Sequence, residues 1–253
     1  MITIKSKREI EIMSEGGKRL RRILDAILEN LKPGVTTLAL DQLAEKKILE
    51  FGGRPSFKMV PGYQWSTCIT LNDEVVHGIP GDKKISDGDV VGVDIGIYYQ
   101  GFHTDMAETV LVGDQKSQKR NEKSKFLEVG RKALEKAIAK AKPGNYLGEI
   151  SKTIEENIKK AGFSPVYSLT GHGIGRKLHE EPQIPCFLEG EIENTPLLKK
   201  GMTLAIEVIY NLGLPEVVLS CDGWTIKTKD GKISALFEET VAIVDSGFLV
   251  LTR

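Results

Sequence analysis

Five side chains that could bind metal ions stand in apolar or glycine-rich stretches of this sequence. They are Asp94, Asp105, His172, Glu207 and Glu238, in surroundings such as VVGVDIGIYY and MTLAIEVIY. A carboxylate buried without a partner is costly, so it normally pairs, becomes protonated or binds a metal. Four oxygen ligands and one imidazole suit divalent cations better than a thiolate zinc site. The set predicts a site for two divalent ions that share an activated water, with a single ion as the alternative.

Strand alternation predicts that two of these carboxylates share one face of a hairpin. Along VGVDIGI the valines and isoleucines lie on one face and Asp94 on the other. A turn around Tyr99 and Gln100 would then place Asp94 directly opposite Asp105 in the next strand, over about 102–112. Directly opposed like charges destabilise a sheet, so a cation between them would explain the pair. The alternative is a surface hairpin whose aspartates face water.

The sequence has four histidines, and they receive different interpretations. His172 lies in GHGIG, where glycines let the ring approach a ligand closely, and we interpret it as a metal ligand. His77 and His179, as neutral imidazoles, could hold a substrate amide or transfer a proton near neutral pH. His103, two residues before Asp105, is assigned a structural role.

Two other chemistries are weaker alternatives. Cys68 with a histidine could form a thiol-protease pair, but that would leave the five metal-type side chains unexplained. Cys68 is instead interpreted as a small buried hydrophobe. The GHGIG segment could cradle a phosphate, yet it lacks the Lys and Ser/Thr of a P-loop.

The elements that must position these residues form a repeat. Helical periodicity predicts helices over about 7–31, 38–51, 122–141 and 147–161. In each half a KPG turn follows the first helix and glycine ends the second, and Pro33, Gly34, Gly52 and Pro55 all recur 110 positions later. Two copies favour a closed, pseudo-twofold α+β domain over residues 1–253, with a mostly antiparallel sheet and helices on one face. We expect the site between the two copies.

Composition excludes several classes of protein. The 253 residues carry a formal net charge of +0, which gives no general attraction to nucleic acid or anionic membrane. No apolar run approaches the length of a membrane span. The three cysteines are scattered and odd in number, which argues against a disulfide framework. We expect a cytoplasmic globular protein.

The motifs along the chain resemble those of type I methionine aminopeptidases, over essentially the whole length. They are PSF at 55–57, NDEVVHGIP at 72–80, VDIG at 93–96, HTDMAET at 103–109, GHGIGRKLHEEP at 171–182, GMTLAIEV at 201–208, GWTIKTKD at 223–230 and ALFEETV at 235–241. The resemblance implies the pita-bread α+β fold, whose internal duplication matches the repeat. It also implies removal of the initiator methionine from nascent chains whose second residue is small.

The resemblance implies roles for the metal-type residues. Asp94, Asp105, His172, Glu207 and Glu238 would bind two divalent ions (cobalt, manganese, iron, zinc or nickel), with Asp105 and Glu238 bridging them. Glu207 would also act as the general acid and base.

It further implies that His77 binds substrate and that His179 lies near the scissile amide. Tyr63, Cys68 and Trp224 match the family's pocket for the methionine side chain, although on the residues alone ordinary core packing is preferred. The chain departs from the usual family pattern at residues 57–65, Leu178, Val208 and Glu239, none of which is an implied metal ligand.

Three further expectations concern rivals and partners. An aminopeptidase P or prolidase-like enzyme on the same fold would usually carry an extra N-terminal domain. A non-catalytic member that binds the ribosome or nucleic acid would be expected to lose metal ligands. We expect a monomer that acts on the N-termini of nascent polypeptides, without a specific nucleic-acid partner. Transient ribosome contact through Lys119, Arg120, Lys123 and Lys125 is a hypothesis.

Overall fold

The computed structural model describes residues 1–113 and 118–253, with the backbone alone for 118–120. Its α-helices are α1 (Lys7–Asn30), α2 (Thr37–Glu50), α3 (Gln118–Ile138) and α4 (Leu147–Lys160). Helix α1 begins with a capping box, in which Ser6 and Glu9 each accept a hydrogen bond from the other's backbone N–H. It ends before Lys32-Pro33-Gly34, where Gly34 has a φ of 90°. The predicted helices are confirmed to within a few residues.

The strands lie between and after these helices. They are β1 (Arg54–Pro55), β2 (Thr67–Leu71), β3 (Glu74–Val76), β4 (Val90–Tyr99), β5 (Phe102–Leu111), β6 (Ser164–Pro165), β7 (Thr170–Gly173), β8 (Glu180–Pro185), β9 (Thr203–Asn211), β10 (Val217–Leu219), β11 (Ile226–Thr228), β12 (Ser234–Val244) and β13 (Gly247–Val250).

The main sheet joins the two halves of the chain. Its strand order is β1-β4-β5-β12-β9-β7-β8, with β2 on β4, β6 on β9 and β13 on β12. The pairings within it are antiparallel. First-half and second-half strands meet where β5 pairs with β12. A smaller sheet, β10-β11-β3, lies beside it. This is the predicted α+β architecture.

The duplication is visible in the element bounds. Helix α2 and helix α4 begin and end 110 positions apart, as do β1 and β6. Pro55 of β1 pairs with Ile97 of β4, and Pro165 of β6 pairs with Tyr210 of β9. Strands β4 and β9 are therefore equivalent. Asp94 precedes Ile97 by three residues and Glu207 precedes Tyr210 by three, so these carboxylates occupy matching places.

All four helices pack on one face of the sheet. Residues of α1 and α2 share a buried cluster with Val93 and Ile95, the neighbours of Asp94 in β4. Residues of α3 and α4 share another with Ile206 and Val208, the neighbours of Glu207 in β9. Because side chains alternate along a strand, the carboxylates lie on the opposite face, away from the helices.

Among the helices of the described residues, none has both the length and the apolarity needed to cross a bilayer.

The register of the β4–β5 hairpin differs from the prediction. Tyr99 pairs with Phe102, so the turn residues are Gln100 and Gly101, with φ of 46° and 94°. A two-residue turn with positive φ at both positions fits the twist of a hairpin, and Gly101 tolerates it without strain. Asp105 therefore pairs with Gly96 instead of Asp94. The prediction of direct opposition was wrong by two residues, and an even shift keeps both aspartates on one face.

Candidate metal and active site

The carboxylates form a row across four adjacent strands. Asp94 of β4 pairs with Ala107 of β5, Ala107 pairs with Glu238 of β12, and Glu238 pairs directly with Glu207 of β9. Asp105 lies two residues before Ala107, on the same face. Directly opposed like charges were predicted for Asp94 and Asp105 of the hairpin. They occur instead between Glu238 and Glu207. Such a pair destabilises a sheet unless protons or a cation neutralise it.

His172 completes this cluster from β7. It pairs with Ala205, two residues from Glu207 in β9. Its Nδ1 lies 2.9 Å from the carbonyl oxygen of Gly173, which places the proton on Nδ1. The Nε2 lone pair then faces Glu207 Oε1 at 3.7 Å. Two electron-rich atoms at this distance, with the histidine oriented by its other nitrogen, are the arrangement of a metal ligand set.

Three of the five side chains come close enough to share one ion. One ligand atom from each of Asp105, His172 and Glu238 lies within 4.8 Å of the others. Asp94 Oδ1 and Glu238 Oε1 are buried and lack a hydrogen-bond partner among the described residues. Since buried polar atoms are normally satisfied, these oxygens need a ligand that the protein itself does not supply.

Burial makes ionisation of these groups unfavourable. It raises the pKa of Asp105 to about 7. It also raises the pKa of Asp94, Glu207 and Glu238 well above the ordinary range, and for these three the neighbouring carboxylates add to the effect. It also lowers the pKa of His172 to about 4, helped by the nearby His179. Bound divalent cations would lower the pKa of these carboxyl groups, because they favour the ionised form.

The backbone holds Asp105 in place through a buried threonine. The Asp105 N–H donates to Thr240 Oγ1 at 2.9 Å, and that hydroxyl donates to the Asp105 carbonyl at 2.7 Å. Thr240 itself is fully buried. These two bonds join β5 to β12 and so fix the junction between the halves.

His77 and His179 lie where a small cavity meets a larger groove. The cavity, about 140 Å³, contains all five metal-type side chains in its lining, and the groove is about 810 Å³. His77, His172, His179 and Glu207 border both. The surrounding protein partly desolvates His77 and His179 and lowers the pKa of each, so the neutral rings predominate at pH 7, although both side chains are exposed in the groove. His77 also adopts a φ of 55°, a strained conformation found mostly at functional positions.

The cavity has an apolar wall. Tyr63, Cys68 and Trp224 line it, and the Tyr63 and Trp224 rings meet edge to face at 5.1 Å. The Tyr63 hydroxyl donates to the Thr67 carbonyl at 2.8 Å and lies 3.2 Å from Cys68 Sγ. Sequence reasoning missed further wall residues, among them Phe57, Val60 and Leu178. Their only signal was proximity to the PSF motif and to His179.

The structure argues against the alternative chemistries. Burial raises the pKa of the Cys68 thiol well above its usual range, whereas a nucleophilic cysteine needs a lowered pKa. The residues of GHGIG begin in strand β7, without the helix N-terminus that phosphate sites use. His103 donates or accepts a hydrogen bond with Ser56 Oγ at 2.9 Å, as expected for a structural histidine.

Comparison with known proteins identifies the family. The model of metallopeptidase family M24 matches residues 11–245. A methionine aminopeptidase of Clostridium perfringens is 42% identical over 252 residues, which is 100% of this chain and 99% of that protein. The chain belongs to metallopeptidase family M24. The crystal structure of methionine aminopeptidase from Thermotoga maritima is similar over 100% of both chains, with 40% identity and a TM-score of 0.94.

Prolidase structures share the fold with lower sequence identity and a lower TM-score. Prolidase from Pyrococcus furiosus is 26% identical with a TM-score of 0.78, and the match covers 99% of this chain but 65% of the prolidase. The resemblance to methionine aminopeptidases and the pita-bread fold are therefore confirmed. Family membership makes the protein a metal-dependent peptidase, in agreement with the buried acidic cluster.

Proposed function

We propose that this protein releases the N-terminal methionine from peptides and nascent chains whose second residue is small. The observation that carries the proposal is the acidic cluster at the inner end of an apolar cavity that opens into a groove. The small cavity suits one terminal side chain, and the larger groove suits the chain that follows it. The relatives of this protein carry the name of the same activity.

The residues present fit a divalent metal centre. Asp94, Asp105, His172, Glu207 and Glu238 would hold two ions, from among cobalt, manganese, iron, zinc and nickel, and the unpaired buried oxygens support this ligand set. When bound, such ions activate water at neutral pH and polarise the carbonyl of the scissile bond. Availability often decides which ion fills an oxygen-rich site.

The protein's own residues move protons and hold the substrate. Glu207, at the border of cavity and groove, would accept a proton from the attacking water and return it to the departing amine. Neutral His77 and His179 each offer one N–H donor and one acceptor to the scissile amide. Both side chains are exposed to the groove, where a substrate can reach them, and partial desolvation by the surrounding protein lowers the pKa of each, so the neutral rings predominate at pH 7.

The first side chain of the substrate would occupy the apolar cavity. Tyr63, Cys68 and Trp224 present two aromatic rings and a thiol, and sulfur in a methionine thioether makes favourable contacts with aromatic rings. Phe57 and Leu178 would complete the wall.

A peptide panel tests this proposal. We expect the purified protein, supplied with a divalent ion, to release methionine from Met-Ala-Ser much faster than from Met-Leu-Ser, and to leave Leu-Ala-Ser nearly intact. A chelator should stop the reaction. Cleavage of an X-Pro dipeptide without cleavage of Met-Ala-Ser would favour a prolidase activity instead, and no cleavage with any ion would favour a binding role.

We further propose that residues 1–253 act as one catalytic domain, as a monomer in the cytoplasm, where new chains carry their first methionine. Ribosome contact stays a hypothesis. The side chains of Lys119 and Arg120 lie outside the described residues, Lys125 is exposed, and Lys123 donates to the Gly88 carbonyl at 2.7 Å. Unchanged ribosome co-sedimentation after neutralising these four residues would count against it.

A further inference from the structure

Asp41 is a buried carboxylate that the catalytic cluster does not use. It lies in α2, on the helical side of the molecule, and is 4% exposed. Its Oδ1 accepts hydrogen bonds from the Ser66 N–H at 2.9 Å, the Thr67 N–H at 2.9 Å and the Thr67 hydroxyl at 2.8 Å. All three donors are neutral, and all belong to the segment that enters strand β2.

These bonds lead directly to the wall of the cavity. The Thr67 carbonyl is the acceptor of the Tyr63 hydroxyl at 2.8 Å. The next residue, Cys68, lies opposite Asp94 in the β2–β4 pairing. Thr67 is therefore held on both sides of its backbone, by Asp41 at its N–H and by Tyr63 at its carbonyl. Two wall residues, Tyr63 and Cys68, depend on where Thr67 sits.

The wall segment has little regular structure of its own to hold it. Between β1 and β2 it contains one short 3₁₀ turn, Phe57–Met59. A second contact with α2, Lys58 to Glu45 at 2.6 Å, joins side chains that are 33% and 37% exposed. Exposed pairs of this kind contribute little. The buried contact at Asp41 is thus the stronger link between this segment and a rigid helix.

We propose that Asp41 is a positioning residue that sets the shape of the first-residue cavity and, through it, the preference for methionine. The inference rests on the proposed function. Asp41 would touch no substrate and would act on selectivity through Thr67.

The chemistry predicts different results for two substitutions. Asp41→Ala would leave two peptide N–H groups and one hydroxyl without their acceptor, so Thr67 would shift and Tyr63 would lose a fixed partner. Asp41→Asn keeps Oδ1 as an acceptor for all three donors. Neither change alters a residue of the acidic cluster, whose carboxylates lie on β4, β5, β9 and β12.

The test compares kcat and KM for Met-Ala-Ser, norleucine-Ala-Ser and Leu-Ala-Ser in four proteins: wild type, Asp41→Ala, Asp41→Asn and the control Glu45→Gln. We expect Asp41→Ala to reduce the methionine-to-leucine ratio of kcat/KM by about tenfold or more, mainly through KM. Asp41→Asn and Glu45→Gln should keep the wild-type ratio.

An Asp41→Ala protein that is less stable but keeps the wild-type ratio would overturn the inference, because Asp41 would then be only structural. If Asp41→Ala does not fold, Thr67→Val removes one donor and keeps both N–H groups. It should lower the ratio in the same direction by a smaller factor, and an unchanged ratio would overturn the inference as well. A wild-type protein inactive on all three peptides would overturn the proposed function itself.

Discussion

The two halves of the molecule share one scaffold but cover the catalytic face of the sheet differently. In the first half, the segment before β2 closes over β4 and leaves a cavity of about 140 Å³. Strands β7 and β8 of the second half, together with N-terminal residues such as Ile4 and Lys5, border a larger groove of about 810 Å³. Behind the sheet, helices α2 and α4 match at an offset of 110 positions.

The comparison separates what the fold provides from what the connecting segments provide. The duplicated sheet places Asp94 and Glu207 at equivalent positions and brings Asp105 and Glu238 to the junction between the halves. We propose that the irregular segments decide which substrate reaches that junction. Changes in the sheet should therefore affect rate, and changes in the covering segments should affect selectivity.

The largest expected effect is on the sheet. Glu207→Gln should lower kcat for methionine release by about 10²–10⁴-fold, because a general acid and base contributes that much. Glu108→Gln is the matched control, since Glu108 lies on the opposite face of β5 and pairs with Arg131 at 2.6 Å. Steady-state kinetics on Met-Ala-Ser would measure both. A Glu207→Gln enzyme within about tenfold of wild type would contradict the assignment.

A large effect on stability is expected at the border of the open groove. Lys5 and Glu180 form a buried pair at 2.5 Å, with side chains 4% and 7% exposed. Lys5→Met would leave Glu180 without this partner and should lower the free energy of unfolding by about 3–5 kcal/mol. Urea unfolding would measure this, with Arg8→Met in an exposed pair as control.

The Lys5→Met protein should keep the preference for methionine, because the pair lies outside the closed cavity. Loss of that preference would show that the Lys5–Glu180 pair and the cavity are not independent. Adding Glu180→Gln to Lys5→Met should restore part of the lost stability, since no buried charge would then be unpaired.

An intermediate effect is expected in the closed cavity. Tyr63→Ala removes the ring that packs on Trp224 and should reduce the methionine-to-leucine ratio of kcat/KM by about 10–200-fold. Tyr167→Ala, in a second-half segment where the side chain is exposed, should leave the ratio unchanged. Equal effects of the two substitutions would show that the cavity residues do not set selectivity more than the second-half segment does.

The smallest effect is expected in the open groove. Gln183 of β8 lines the groove but not the cavity, and it pairs with His172 of β7. Gln183→Ala should leave kcat/KM for Met-Ala nearly unchanged, because most peripheral contacts are nearly neutral in energy. A larger loss, up to about threefold, is expected only for peptides of five or more residues. A tenfold loss on the dipeptide would mean that the groove belongs to the first-residue site.

Much of the scaffold was predictable because its signals are local. The KPG turns and the helix-ending glycines fixed the ends of α1, α2 and α4, since proline cannot continue a helix and glycine adopts positive φ. The metal-type residues were found because a carboxylate within an apolar strand needs a partner.

The hairpin register could have been predicted better. The turn was placed one residue early, although Gly101 marks the position that adopts positive φ most easily. Phe57, Val60 and Leu178 could not be assigned to the cavity from the residues alone. They belong to segments far apart in the chain whose meeting depends on tertiary packing.

The most direct test of the central claim, that the buried carboxylates hold divalent ions, is thermal unfolding of metal-free protein across pH. Burial raises the folded-state pKa of Asp105 from an ordinary value near 4 to about 7. The folded state then binds more protons than the unfolded state between these values, so this group's contribution to stability falls as the pH rises from about 4 to about 7. Asp94, Glu207 and Glu238 shift in the same direction.

We predict that the metal-free protein is less stable at pH 8 than at pH 5 and that Mn²⁺ raises the midpoint at pH 8 far more than at pH 5. Glu238→Gln should reduce that gain. A midpoint at pH 8 that does not respond to Mn²⁺ or to any other divalent ion would contradict the account.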